Sequence, residues 1–350
     1  MTSALPATMR AVVLVGHGGF DMLEQRSDVV VPRPAAGEVL VRVGAAGVNN
    51  TDINTRIGWY ADSVAEGAEA GWTGDSFAFP RIQGADACGV VVAVGNGVAS
   101  SRLDERVLVE PVWRDPVGRA PYEAQYFGSE RDGAFADYAV VPSVHAHCID
   151  STLTDTELAS FPCAYSAAEN MLSRVALGPR ETVLITGASG GVGSAAVQLA
   201  KRRGCRVLAV AGAAKLSELY ALGADVCIER GDDLTDACGR EAIDVVIDVV
   251  GGPQWPQLLD VLRRGGRYAV VGAIAGPIVQ LDLRTLYLKD ISLHGCTVLG
   301  AHVFADLVGY VERGEIKPVV SAVFPMSKIV DAQELFLTKQ LLGKIVLVPG

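Results

Sequence analysis

The chain of 350 residues lacks several features, and each absence narrows what it can do. Its seven cysteines, Cys88, Cys148, Cys163, Cys205, Cys227, Cys238 and Cys296, are scattered and contain no CxxC pair. An odd number of isolated thiols argues against a disulfide framework and for reduced, buried cysteines in a cytoplasmic protein. Of five histidines only His145 and His147 are close together. Two residues apart they share one face of a strand, and a strand edge is expected there rather than a metal site. No uninterrupted apolar stretch exceeds about ten residues, too short to cross a bilayer. Met1–Pro6 shows no basic region followed by an apolar run, so no signal peptide is expected. There is no block of like charge, and the net charge is −10. That argues against nucleic acid and anionic membrane surfaces as main partners.

What is present is an ordinary globular composition, 50% hydrophobic and 20% charged, in a chain long enough for two cored domains. The first 150 residues carry short valine-rich runs closed by glycine or proline: Ala11–Val15, Glu38–Val43, Gly89–Val94, Arg106–Glu110 and Ala134–Val141. They read as strands of a mostly β domain. Ala61–Phe79 interrupts them with small and polar residues of no clear period. A loop of that length in a compact domain is expected to shape substrate access.

Beyond residue 160 near-continuous apolar runs alternate with helical spacing. The runs are Glu181–Gly187, Arg206–Ala211, Asp225–Glu229, Ile243–Val250, Gly266–Val271 and Ile291–Val298. This predicts an α/β domain with a doubly wound parallel sheet. Val303–Gly314 reads as an amphipathic helix. The strand candidates Val319–Phe324 and Ile345–Val348 are expected to return to the first domain.

The sharpest motif is Gly187-Ala188-Ser189-Gly190-Gly191-Val192-Gly193, which follows one of these strands and opens a helix. A pyrophosphate site needs that order: glycine for close backbone approach, then a helix N-terminus with unpaired N–H groups. Ser189, Gly190, Gly191, Val192 and Gly193 are the expected contacts. An acid at the end of the second strand would bind a ribose 2′-hydroxyl. Here the strand ends in Val210-Ala211-Gly212-Ala213-Ala214-Lys215, without a carboxylate. Lys215, with Arg230 after the third strand, could instead balance a 2′-phosphate, so NADP(H) is the expected cofactor.

A second stretch, Gln83-Gly84-Ala85-Asp86-Ala87-Cys88-Gly89, places an acid and a thiol in a glycine-bracketed loop. On its own it could be part of a metal site or a packed turn.

These segments, with Gly37–Asp52, Phe79–Val98, Gly133–Pro142, Gly265–Gly276 and Leu341–Pro349, resemble the medium-chain dehydrogenase/reductase superfamily over nearly the whole chain. The resemblance implies a GroES-like β domain at 1–160, completed by 300–350, and a Rossmann domain at 161–299. In the superfamily's zinc enzymes a cysteine stands at the position of Asn49 and a His-Glu pair at Ala85-Asp86, while a third ligand matches Cys163. Only Cys163 persists, so the resemblance points to the zinc-free branch of quinone oxidoreductases and enoyl reductases, with no catalytic metal. A structural zinc needs four closely spaced cysteines, and Pro111–Asp132 contains none. By the same resemblance Asn49, Thr51 and Tyr60 are candidate catalytic residues, Asn49 as an amide donor to substrate oxygen and Thr51 as a proton relay. Trp59 and Cys163 are candidates for the substrate pocket, and Ser166 and Lys344 for the cofactor site. Relatives imply a homodimer joined along the Rossmann sheet edge at Ile291–Val298. The expected activity is NADPH-dependent reduction of a quinone or an α,β-unsaturated carbonyl. Zinc-free alcohol/ketone interconversion and non-catalytic NADPH binding are the alternatives.

Overall fold

A computed structural model describes residues 5–60, 77–114 and 123–350. The expected access loop at 61–79 lies outside the described residues from 61 to 76, as does part of Pro111–Asp132. The chain forms two compact units. Unit 1 is Met1–Cys163, Val320–Gln340 and Lys344–Gly350; unit 2 is Ala164–Val319 and Leu341–Gly343.

Unit 1 is built on the ten-residue strand Glu38–Gly47, which pairs antiparallel with Cys88–Val94, Tyr138–Pro142 and Lys344–Val348. Val39, Leu40, Val41, Ala45 and Ala46 are wholly buried, which is why this strand reads as an almost unbroken apolar run. The C-terminal strand Lys344–Val348 also pairs in parallel with Val320–Pro325, so the return to the β domain is real. Two elements differ from expectation. Leu23–Val30 is a strand although its sequence, LEQRSDVV, is polar; it is exposed along most of its length and, among the described residues, pairs only with Thr8–Leu14. Of Ala134–Val141 only the part from Tyr138 is strand. The backbone of Ala134 and Phe135 instead bonds to Gly84 and Gln83.

Unit 2 carries a six-stranded parallel sheet in the order Val226–Glu229, Arg206–Ala211, Thr182–Ile185, Ile243–Asp248, Leu262–Val270, Ser292–Gly295. Counted along the unit this is 3-2-1-4-5-6, the doubly wound order of dinucleotide-binding sheets. Its core includes Leu184, Leu208, Val246, Trp255 and Tyr268. The helix Val303–Glu312 belongs to this unit. Phe304 and Leu307 are buried, Tyr310 donates its hydroxyl to Glu169 at 3.4 Å, and the Arg202 guanidinium lies 3.5 Å above the Tyr310 ring. The return to unit 1 therefore begins at Val320 and not at the expected 300, because this helix needs unit 2 to cover its apolar face. No helix among the described residues is long and apolar enough to cross a membrane.

Truncating Phe304 to alanine should destabilise the protein by ~3–5 kcal/mol, the usual cost of removing a buried phenyl ring. Equilibrium urea unfolding measures it.

Candidate functional site

In unit 1 the strand Glu38–Gly47 runs through Val48 into the short helix Asn50–Arg56. Asn49 is extended (φ −127°, ψ 160°), and its backbone N–H donates to Asp52 Oδ2 at 2.8 Å. An acid in the first helical turn that bonds back to the cap residue starts the helix at this point. Asp52 is nevertheless buried, and burial pushes its carboxyl up to about 7. The Asn49 N–H and the Lys344 ammonium work against that rise, and the Asp86 carboxylate adds to it.

The loop Gln83–Gly89 faces the same place. Gly84 has φ +103°, and a Cβ there would come 2.9 Å from the Phe135 backbone nitrogen. Asp86 is completely buried and each of its oxygens is bonded. Oδ1 accepts from the Cys163 N–H at 2.6 Å; Oδ2 accepts from Asn49 Nδ2 at 2.8 Å and Lys344 Nζ at 2.7 Å. A Cβ on Gly47 would fall 2.4 Å from Asp86 Oδ2, so glycine is what leaves room for the carboxylate. Cys88 points elsewhere, with its sulfur 3.6 Å from Asp155 Oδ1, and Asp155 is paired with Arg106. The acid and the thiol of this loop thus serve separate networks.

Lys344, 2% exposed, has three acceptors for its three N–H donors: Asn49 Oδ1 at 2.6 Å, Asp86 Oδ2 at 2.7 Å and Val48 O at 3.0 Å. Two expectations change as a result. Lys344 was expected on the cofactor, but its donors are fully engaged within unit 1. Asn49 was expected to donate to substrate oxygen. Its carbonyl oxygen must face the ammonium, which turns its amide nitrogen to Asp86 and, at 3.4 Å, to Gly47 O.

The donor set does not fit a zinc ion. Asn49 and Asp86 hold an ammonium between them, and buried Ala85 offers no ligand. The Cys163 thiol is raised above the usual range, first by burial and then by Asp86, so its thiolate is disfavoured. Among the described residues no three His, Cys, Asp or Glu side chains are grouped to hold a metal.

Thr51 sits one position into the helix, and its buried Oγ1 has no partner at hydrogen-bonding distance among the described residues. The Tyr60 phenol lies close by. Burial raises its pKa, the Thr51 hydroxyl and Asn54 amide lower it, and Cys163 and Asp52 raise it again. Asn54 Nδ2 reaches Tyr60 OH only at 3.4 Å. Trp59 stacks edge-on against Tyr60 at 5.3 Å between centroids and is 41% exposed. Asn49, Thr51, Tyr60 and Cys163 therefore do converge in unit 1, with Trp59 at the surface beside them.

In unit 2 the loop Gly187–Gly193 joins strand Thr182–Ile185 to helix Gly191–Arg202. A Cβ on Gly193 would fall 2.2 Å from Gly187 O, so only glycine permits this close approach of helix and strand. The loop is braced from an unexpected direction: the Gly343 N–H donates to Ser189 O at 2.9 Å. Lys215 Nζ lies 3.3 Å from Ser189 Oγ. A Cβ on Gly212 would sit 3.6 Å from Arg230 Nη2. The Lys215 ammonium is held below its ordinary range by partial burial and then by the Arg230 guanidinium, with Glu218 opposing. Two cations beside a helix N-terminus, repelling each other, fit a phosphate-bearing dinucleotide. Ser166 is buried in helix Pro162–Arg174.

Sequence reasoning did not single out Asp248, which is completely buried at the end of strand Ile243–Asp248. It accepts from Thr186 Oγ1 at 2.5 Å, Tyr268 OH at 2.6 Å and the Val250 N–H at 2.8 Å. This clamps the turn whose Val249 and Val250 methyls pack on Gly187. An acid closing an otherwise apolar strand was the available signal. A lysine opening one, Lys344-Ile345-Val346-Leu347-Val348, was the corresponding signal in unit 1.

Comparison with known proteins matches residues 35–151 to the alcohol dehydrogenase GroES-like domain and 191–313 to the zinc-binding dehydrogenase family. The chain is 30% identical to an acryloyl-coenzyme A reductase of Metallosphaera sedula, covering 97% of this chain and 99% of that one. It is 28% identical to a quinone oxidoreductase of Rattus norvegicus, covering 93% of each. A solved structure from Sinorhizobium meliloti 1021, named as a candidate alcohol dehydrogenase, superposes with a TM-score of 0.93 at 46% identity. That match covers 99% of this chain and 98% of the other.

Asp52 yields a pH test. A carboxyl raised from 3.8 to about 7 in the folded state favours folding at low pH, and that contribution is lost as pH rises through about 7. Asp52→Asn should therefore gain thermal stability relative to the parent as pH is raised from 4 to 7, as followed by melting temperature in matched buffers.

Proposed function

The chain belongs to the medium-chain dehydrogenase/reductase superfamily of oxidoreductases, and we propose that it is an NADPH-dependent, zinc-independent reductase of α,β-unsaturated carbonyl or quinone substrates. One observation carries this reading: Asn49 and Asp86 hold the Lys344 ammonium where the superfamily's zinc enzymes need ligands. A simple ketone develops its negative charge directly on oxygen as hydride adds, and a metal is the usual partner for that charge. A conjugated acceptor spreads the charge, so hydrogen-bond donors and a proton source suffice. The similarity to an acryloyl-coenzyme A reductase and a quinone oxidoreductase supports such acceptors.

For the cofactor, Ser189, Gly190, Gly191, Val192 and Gly193 would hold the pyrophosphate, and Lys215 with Arg230 the 2′-phosphate. The pair of cations and the lack of an acid at Gly212–Lys215 support NADPH over NADH. When bound, the reduced nicotinamide supplies the hydride. In unit 1 the Thr51 hydroxyl and the Tyr60 phenol are the donors for a substrate oxygen on which charge grows. Burial keeps the phenol protonated, as a donor must be. Cys163, also kept protonated, lines the pocket rather than acting as a nucleophile. Trp59 forms its outer wall.

We also read the protein as a homodimer joined along the edge strand Ser292–Gly295. Leu293 is exposed on that edge strand, Ile278, Leu283, Tyr287 and Leu288 are exposed in the segment that precedes it in the chain, and an uncovered apolar edge favours pairing. Sedimentation should give twice the chain mass for the parent, and Leu293→Lys should shift it toward the monomer.

The functional test is a panel of enone, quinone and simple ketone with NADPH or NADH. The enone or quinone should turn over with NADPH and the ketone much more slowly. Turnover of the ketone alone would favour the alcohol dehydrogenase reading, which the 46% identical structure raises. Replacing Lys215 and Arg230 together by alanine should raise the KM for NADPH by roughly 10- to 100-fold, the value of one or two charged hydrogen bonds, with little effect on NADH. Tyr60→Phe should lower kcat on the enone by about 100-fold with an unchanged KM for NADPH.

A further inference from the structure

Val298 and Gly300 lie in the segment of unit 2 that leaves the last parallel strand, Ser292–Gly295, and enters the helix Val303–Glu312. A buried peptide group outside regular structure needs a partner, and here one side chain supplies two. Asn170 is 1% exposed on helix Pro162–Arg174. Its Nδ2 donates to Val298 O at 3.2 Å, and its Oδ1 accepts the Gly300 N–H at 3.2 Å. A primary amide presents donor and acceptor in one rigid plane, so this contact fixes both where the backbone lies and how it is turned. Arg174, one turn further along the same helix face, donates Nη2 to Val298 O at 2.7 Å and Nη1 to Gly295 O at 3.3 Å.

The place of this segment in the fold gives the contact its meaning. It leaves the sheet at the carboxyl ends of the strands, the end that carries Gly187–Gly193, where a sheet of order 3-2-1-4-5-6 binds a dinucleotide. The glycine loop follows the first strand, and Lys215 and Arg230 follow the second and third. An adenosine half drawn to those cations leaves the nicotinamide half to the loops after the fourth, fifth and sixth strands. We propose that Asn170 is a positioning residue for the nicotinamide half, because it holds the Val298–Gly300 backbone at that end of the crevice. The inference rests on the cofactor reading given above. The segment is tied at its ends by backbone, the Cys296 N–H to Val270 O at 3.0 Å and the Val303 N–H to Gly300 O at 3.0 Å. Asn170 ties its middle. Ser166, expected at the cofactor, stands one turn before Asn170 on the same helix.

The test separates the two halves of the cofactor. Asn170→Asp keeps the shape and the acceptor but sets a carboxylate oxygen against Val298 O. Calorimetric titration should show NADPH binding weakened roughly 10-fold, since a buried carbonyl loses its donor. Binding of adenosine 2′,5′-bisphosphate, which carries the adenosine half alone, should stay within about twofold of the parent. With an enone, kcat should fall by about 100-fold, as it does when reacting groups are displaced by about an ångström. Lowering the pH from about 8 to about 6 protonates the introduced carboxyl and restores an O–H donor. NADPH affinity, taken relative to the parent at each pH, should then recover, because burial raises the pKa of a carboxyl. Arg174→Met should weaken NADPH in the same selective way, but less.

Equal weakening of NADPH and the bisphosphate would overturn the proposal and leave Asn170 a residue that merely maintains unit 2. Parental NADPH affinity and kcat in Asn170→Asp would do the same, as would a deficit that pH does not change. If Asn170→Asp does not fold, Arg174→Met carries the comparison, and equal weakening of both ligands there overturns the inference. If the parent prefers NADH, the same comparison is made with NADH and AMP. A parent that binds the dinucleotide but reduces no enone or quinone defeats the proposed substrate class, while the binding comparison still tests Asn170. A parent that binds neither dinucleotide overturns the cofactor reading and this inference with it.

Discussion

A buried ion pair between Lys344 and Asp86 underlies the arrangement of unit 1. Both groups are cut off from water, and taking two charges out of water is costly unless every polar atom is satisfied. Here they are: the ammonium has three acceptors, and the carboxylate accepts from an ammonium, a side-chain amide and a backbone N–H. Losing one partner of such a pair typically costs ~3–5 kcal/mol, because the other is left buried and unpaired. The pair also links residues 258 positions apart, so that the last strand of the chain closes the loop cluster begun by the third. Asn49 and Asp52 depend on this arrangement. The first has its amide orientation dictated by it, and the second has its carboxyl raised to about 7 by burial, with Lys344 opposing that rise and Asp86 adding to it.

Unit 2 solves the opposite problem. Its loop is shaped by backbone rather than charge. Gly193 permits a contact no side chain would allow, Gly343 braces Ser189, and Asp248 clamps the neighbouring turn through a tyrosine, a threonine and a backbone N–H. Of the cations around it, Lys215 is held below its ordinary range by partial burial and then by Arg230, with Glu218 opposing. Unit 1 thus carries a charge already neutralised inside the protein, and unit 2 an imbalance suited to an anionic ligand.

How much of this was legible in the sequence varied with the range of the interaction. The strand, glycine turn and helix of Thr182–Arg202 were legible because they are a local object. The parallel strands were legible for a similar reason, since burial on both faces writes a continuous apolar run. Leu23–Val30 was not legible. Its solvent-facing residues carry no apolar signal, and only pairing with Thr8–Leu14 makes it a strand. The boundary near residue 300 was misplaced because amphipathic spacing in Val303–Glu312 says that a face is buried but not against what.

The sequence by itself determined the fold class, the superfamily, the strand, glycine turn and helix of Thr182–Arg202, and that Asn49 and Ala85 are neither cysteine nor histidine. Each is a matter of which residue types occur at which local spacing. Only the tertiary structure decided what Asn49, Asp86 and Lys344 do. Spacing along the chain could not reveal that a lysine near the C-terminus donates to both Asn49 and Asp86 in the N-terminal half. That contact exists because strand Lys344–Val348 pairs with Glu38–Gly47, a long-range register that brings an ammonium to within 2.7 Å of a buried carboxylate.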